Sequence, residues 1–246
     1  MEPDLLIALA LLVVGFLYAS VGHGGASGYL AVLSIFAVPV VTYKPMILVL
    51  NMVVAGMGFV QFYKAGYFKW KLLWPFLITS IPLAFLGSKT ILPAGNYNLL
   101  LGLALIVPVI RLLGMGPKEK EQQKEPVLWV ALLWGCAIGY LSGLLNIGGG
   151  IFLSPILMLL AWARAKEAAA VSSLFIFFNS FAGLLGNTTF DTAFNSSAYI
   201  WFAAAVIGGT SGAYFGSHRF GQATVRYLLT AVLGIASLKL IFFMPG

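Results

Sequence analysis

Gly139-Tyr140-Leu141-Ser142-Gly143-Leu144-Leu145-Asn146-Ile147-Gly148-Gly149-Gly150-Ile151-Phe152-Leu153-Ser154-Pro155 sets three consecutive glycines between two apolar stretches. The stretch before the glycines, 127–145, is close to the roughly 20 residues that a helix needs to span hydrocarbon. The stretch after them, 151–163, has 13 residues. At about 1.5 Å per residue it covers about 20 Å, short of a hydrocarbon core about 30 Å thick. Non-helical backbone at membrane depth is tolerated only where it faces protein or a water-filled cavity. The stretch therefore predicts a broken or re-entrant helix pair turned towards the interior of a membrane protein.

Working outward, the same arrangement occurs near the start of the chain. Gly22-His23-Gly24-Gly25-Ala26-Ser27-Gly28 separates the apolar run 5–21 from the shorter run 29–41. Further apolar runs lie at 46–63, 72–88 and 97–113, and after the second break at 168–186, 198–216 and 225–243. Between the halves lies a polar linker, 114–126, carrying Lys118, Glu119, Lys120, Glu121, Lys124 and Glu125. The halves read as copies, 1–113 and 127–246. A shift of 124 residues pairs Gly15 with Gly139, Gly24 with Gly148 and Gly25 with Gly149. A shift of 128 pairs Asn51 with Asn179, and one of 129 pairs Gly87 with Gly216.

Composition agrees with a membrane protein. Of 246 residues, 61% are hydrophobic and 9% charged, with a mean hydropathy of +0.98. Soluble domains carry about 25% charged residues, so a soluble enzyme, a nucleic-acid binder and a disordered chain are excluded. The net charge of +7 comes from 14 Lys and Arg against 7 Asp and Glu, placed mainly in short loops. The lone Cys136 carries no redox signal. Glu2 and Asp4 precede the first run, where a signal peptide would be basic, so that segment is expected to be retained.

Loop charge gives an expected orientation. Lys64, Lys69 and Lys71 flank the third and fourth runs, whereas the equivalent loop of the second half, 187–197, holds Asp191 and no Lys or Arg. The positive-inside rule places the first loop in the cytoplasm and the second outside. Equivalent loops on opposite faces imply inverted repeats. Both termini then fall outside a plasma membrane, bacterial or archaeal inner. Lys44 and Lys89 run against this assignment.

The two breaks open short helices, whose N-terminal N–H groups and positive dipole ends favour an anion. Glycine lets a ligand approach the backbone. The apolar spans hold no Asp or Glu to neutralise a cation.

The two glycine-rich breaks, Gly22-His23-Gly24-Gly25 and Asn146-Ile147-Gly148-Gly149-Gly150, each followed by an Asn-bearing helix, resemble the TauE/SafE family of sulfite and organosulfonate transporters. The resemblance runs from about Gly15 to Lys239 and is closest over Gly139–Pro155. The first break differs: Ala26 stands at the third glycine, and Ala31 where a proline would follow. The resemblance implies export or uptake of sulfite, an organosulfonate or a related small anion.

The substrate site is expected between the breaks, from Gly22, His23, Gly24, Gly25, Ala26 and Ser27 on one side and Asn146, Gly148, Gly149 and Gly150 on the other. Asn51, Asn179, Ser172 and Ser173 complete it. His23 could contact the anion or couple transport to protons. Ser27 is read first as a helix cap. Asn51 and Asn179 serve either the ligand or interhelical bonding. Gly135, Gly139 and Gly143, and Gly208, Gly212 and Gly216, are read as packing stripes.

No metal or organic cofactor is implied. Partners are the small anion, the lipid bilayer, a coupling proton or ion and a second copy of the chain, with no nucleic acid. The expected architecture is an all-α polytopic membrane protein of two inverted five-segment repeats, working by alternating access and not as an enzyme. A passive anion channel is the closest alternative. Gly25-Ala26-Ser27-Gly28 also fits the Gly-x-Ser-Gly element of rhomboid intramembrane proteases, a remote alternative requiring a histidine base at Ser27.

Overall fold

The computed structural model describes residues 3–38, 40–90, 106, 110, 123–187 and 196–221, with ten further positions between 223 and 238. Most of the apolar run 97–113, most of the linker 114–126, the loop bearing Asp191 and most of the last run, 225–243, lie outside these residues. So do Glu2, Lys118, Lys120 and Lys239.

The described residues are helical and contain no strand. In chain order they form α1 (Pro3–Ser20), α2 (Ala26–Ile35), α3 (Val40–Lys64) and α4 (Trp70–Ser88), then α5 (Leu128–Leu145), α6 (Gly150–Leu159), α7 (Ala165–Gly186) and α8 (Ser196–Tyr214). A π-helical turn, Phe215–Arg219, continues α8. Five of these segments are long and apolar enough to cross a membrane: Pro45–Lys64, Trp70–Ser88, Leu128–Leu145, Ala165–Gly186 and Ser196–Arg219. Both α2 and α6 have 10 residues. Each is therefore about 15 Å long, begins within the glycine break and stops before the apolar run after it ends.

The short helices end on alanine. Ala37 and Ala161 take left-handed φ values of 53° and 57°. Neither alanine has a glycine or a polar residue beside it, although Pro39 follows Ala37 by two residues, and the apolar runs continue past both ends.

The helices pack in two close pairs. α1 lies along α8, and α4 along α5. Glycine seams make this possible. A Cβ on Gly208, Gly212 or Gly216 would strike the carbonyls of Leu12, Phe16 or Ser20. One on Gly135, Gly139 or Gly143 would strike backbone of Phe76, Ser80 or Ala84. The four-residue spacing is a packing stripe in both places, as small residues allow between membrane helices. Between the pairs run α3 and α7, in opposite directions: Gly58 lies against Ser173, Gly56 against Phe177 and Leu48 against Gly183.

Apolar side chains also cover the outside. Trp129, Leu133, Leu185, Tyr199 and Ile207 are each more than half exposed. Such a surface suits lipid.

Candidate functional site

α1 stops at Ser20 and α5 at Leu145. Each connection turns through left-handed residues, Gly22 and Gly25 in the first, Asn146, Gly148 and Gly149 in the second. Residues 20–33 and 142–151 are buried throughout. The connections thus lie inside the helix bundle, where every backbone group needs a protein partner.

Asn51, on α3, joins them. Its Oδ1 accepts from the Ala26 N–H at 3.2 Å, at the start of α2. Its Nδ2 donates to Ser180 Oγ at 2.8 Å and, at 3.5 Å, to the Ile147 carbonyl of the second connection. Gly24 packs on the Asn51 amide from one side and Gly148 from the other; a Cβ on either would overlap it. These two glycines are required by close approach.

His23 reaches across to the other half. Its Nε2 lies 3.1 Å from Ser154 Oγ, in the second turn of α6, and Ser154 Oγ donates to Ser172 Oγ at 2.8 Å. The ring also borders the Gly150 backbone, and Nδ1 has no hydrogen-bond partner among the described residues.

The remaining expected residues divide by what they hold. Ser173 Oγ donates to the Gly22 carbonyl at 2.9 Å and to Ala169 O at 2.8 Å, fixing the first connection on α7. Ser27 is not a cap: α2 already starts at Ala26, and Ser27 Oγ donates to Tyr18 OH at 3.0 Å. Asn179 Nδ2 donates to Ser80 Oγ at 3.1 Å and to Phe175 O at 2.9 Å. Asn146 ends α5 in the left-handed conformation. Gly149 precedes α6 and Gly150 begins it. Gly22, His23, Gly24, Gly25, Ala26, Asn51, Asn146, Gly148 and Gly150 thus surround the meeting of the two connections. Ser27 faces α1, and Asn179 faces α4.

Sequence reasoning missed Ser154, Ser180, Ser80 and Tyr18, the partners of the chosen residues. Their one signal was a hydroxyl inside an apolar run. It also missed that Lys166 is buried: its Nζ donates to the Ser217 carbonyl at 3.1 Å and lies 5.0 Å from the centre of the Tyr67 ring.

At one end of the bundle, Lys69 Nζ meets Glu167 Oε1 at 2.6 Å and Gln123 Oε1 at 2.9 Å. Glu167 accepts from the Arg164 N–H at 2.9 Å and from Gln123. The loop before α4, the linker end and the start of α7 are tied there. Among the described residues no group of His, Cys, Asp and Glu could hold a metal ion.

Residues 7–240 match the family described as sulfite exporter TauE/SafE. The chain belongs to the TauE/SafE family. It is 33% identical over 240 residues to a probable membrane transporter protein of Sinorhizobium fredii, covering 96% of this chain and 97% of that one. It is 36% identical over 93 residues to a probable membrane transporter protein of Methanocaldococcus jannaschii, 38% of this chain and 34% of that one. No solved structure matches. As a TauE/SafE member this chain is an integral membrane transporter of a small solute, not an enzyme. The geometry agrees: the hydroxyl that the His23 ring bonds belongs to Ser154, while Ser27 bonds Tyr18.

Proposed function

We propose that this transporter moves a small anion, sulfite or an organosulfonate, by alternating access, with the anion bound between the two glycine connections. The observation that carries this reading is Asn51. By bonding both connections it holds the starts of α2 and α6 around one buried point. Helix N-termini present N–H groups and a positive dipole end there. Asn51 Oδ1 already occupies the Ala26 N–H, where an oxygen of the anion would bind once the connections part. Among the described residues no Asp or Glu is buried. The family description, sulfite exporter, supports the choice of anion.

Inverted repeats, 1–113 and 127–246, supply the machinery in this reading. Backbone conformation supports the duplication. A shift of 124 carries the left-handed Gly22, Gly25 and Ala37 onto the left-handed Asn146, Gly149 and Ala161. It also carries the bond from the His23 N–H to Tyr18 O onto that from the Ile147 N–H to Ser142 O. The seams correspond as well: Gly216 lies on Ser20 of α1, and Gly87 on Leu144 of α5. The antiparallel course of α3 and α7, which are counterparts, supports the inversion. Alternating access then exchanges the roles of the two halves. The cytoplasmic placement of Lys69 and the outside placement of both termini belong to the same proposal.

The test is flux of sulfite and of an organosulfonate into proteoliposomes. Saturation and counterflow are expected. Flux linear in concentration without counterflow would mean a passive channel. No flux of either anion, with flux of a neutral solute or a cation, would overturn the substrate class.

A further inference from the structure

The two connections share a backbone but not side chains. At the end of the first preceding helix stands Tyr18, whose hydroxyl accepts from Ser27. The 124-residue shift places Ser142 and Ile151 at those positions in the second half. An isoleucine offers no hydrogen bond, and Ser142 Oγ is buried with no partner. Its own helix does not satisfy it either. Ser173, Ser217, Thr210 and Ser211 each donate back to the carbonyl four residues earlier, the usual recourse of a helical hydroxyl. The same shift carries Gly22 to Asn146, which adds a side chain, and Asn146 Oδ1 is buried and unpartnered too.

A third orphan oxygen lies on the neighbouring helix. Asn179 Nδ2 donates to the Phe175 carbonyl, which can only accept, so the amide cannot be turned round. Its Oδ1 is left buried without a partner. Gly149 links the two helices that carry the three positions. Ser142 and Asn146 are four residues apart at the end of α5, and Phe175 and Asn179 four apart on α7. A Cβ on Gly149 would meet Ser142 Cβ at 3.1 Å and the Phe175 ring at 3.0 Å, so Gly149 lies between the two faces.

Unpaired buried oxygens are costly, above all at membrane depth. Two of these three, the amide oxygens, only accept, and Asn146 stands where α5 ends, at the negative end of its dipole. Hard monovalent cations in transporters are held by such neutral oxygens and by the C-terminal ends of broken helices.

We propose that Ser142 Oγ, Asn146 Oδ1 and Asn179 Oδ1 form a binding site for an alkali cation, sodium or potassium, on the second-half side of the glycine connections. As the coupling ion it rests on the anion-transporter reading: a cation there partly neutralises the anion, and the pair crosses low-dielectric surroundings at less cost than either ion alone. As a binding site it stands without that reading.

The test is thermal unfolding of the detergent-purified protein in sodium, potassium or choline chloride at equal ionic strength, with no sulfite or sulfonate. Sodium or potassium is expected to raise Tm saturably over choline. Two variants remove single oxygens without asking the backbone to change. Ser142→Ala deletes a hydroxyl that makes no bond. Asn146→Gly keeps a residue suited to left-handed φ. Each is expected to weaken the apparent cation affinity about tenfold or more, while melting in choline no lower than the parent. Equal Tm in all three salts for the parent, cation responses unchanged in both variants, or a loss of Tm in choline for both would each overturn the site. Sulfite added as its choline salt separates the two proposals. Stabilisation by it without any alkali-cation effect would remove the cation site and leave the anion site standing. The reverse result would do the opposite.

Discussion

Asn51 makes three hydrogen bonds through the two polar atoms of its side chain, and every bond crosses between elements. Truncation to alanine would strand the Ala26 N–H and weaken the anchoring of the Ile147 carbonyl and of Ser180. Each stranded buried group costs about 1–3 kcal/mol. Asn51→Ala is therefore expected to lower stability by about 2–4 kcal/mol, read as a drop in Tm in detergent. It should also abolish flux. An unchanged Tm would mean that the connections are held together by packing alone. Ser27→Ala is a contrasting case. It removes one bond, to Tyr18, and should cost about 1 kcal/mol while leaving substrate flux largely intact, since Ser27 faces α1. At this scale sequence reading named Asn51 but could not choose its role. Its partner Ser180 lies 129 residues away, and one helical polar residue in an apolar run does not reveal which carbonyl or hydroxyl it faces.

The helix seams carry a prediction of their own. Gly212 of α8 lies on Phe16 of α1, and Gly139 of α5 on Ser80 of α4. An added methyl at either must push two helix backbones apart, and overpacking of this kind costs about 1–3 kcal/mol. Gly212→Ala and Gly139→Ala should lower Tm by similar amounts, because both glycines lie on the backbone of the facing helix. Gly66 has nothing within 4 Å of a Cβ but a φ of 81°, so Gly66→Ala measures backbone strain alone, about 1 kcal/mol. A Gly212→Ala protein melting no lower than Gly66→Ala would mean that the α1–α8 seam is looser than described. The seams were legible in the sequence because a four-residue spacing of glycine has few other uses in a membrane helix. The lengths of α2 and α6 were not. Ala37 and Ala161 end them in left-handed conformation, and alanine gives no such sign in sequence.

For the whole molecule, the decisive geometry is direction. α3 and α7 run antiparallel, as the facing of Gly58 with Ser173 and Leu48 with Gly183 requires. α8 runs with α3, since Gly209 lies on Val54 and Thr210 on Met57. α4 runs with α7, since Asn179 bonds Ser80 and Gly186 lies on Phe85 and Ser88. α4 and α8 therefore run oppositely, and their first residues emerge on opposite faces. In the proposed inversion the lysines near Lys69 and the acidic loop near Asp191 carry the same opposition in charge, because translocation is biased by Lys and Arg. Lys71 and Ser196 are both exposed, near the starts of α4 and α8. Single cysteines at these positions, with Cys136→Ser, should react differently with an impermeant thiol reagent added to intact cells. Cysteine in place of Ser196 should be labelled from outside, and cysteine in place of Lys71 only after the membrane is opened. Labelling of both from outside, or of neither, would leave the two helices entering from the same face, which the packing of α3 against both α7 and α8 does not allow. Labelling in the opposite sense would keep the inversion and turn the molecule over, so that Lys69, Lys71 and the Glu167 ion pair would face outward and the sense of the charge signal would be reversed.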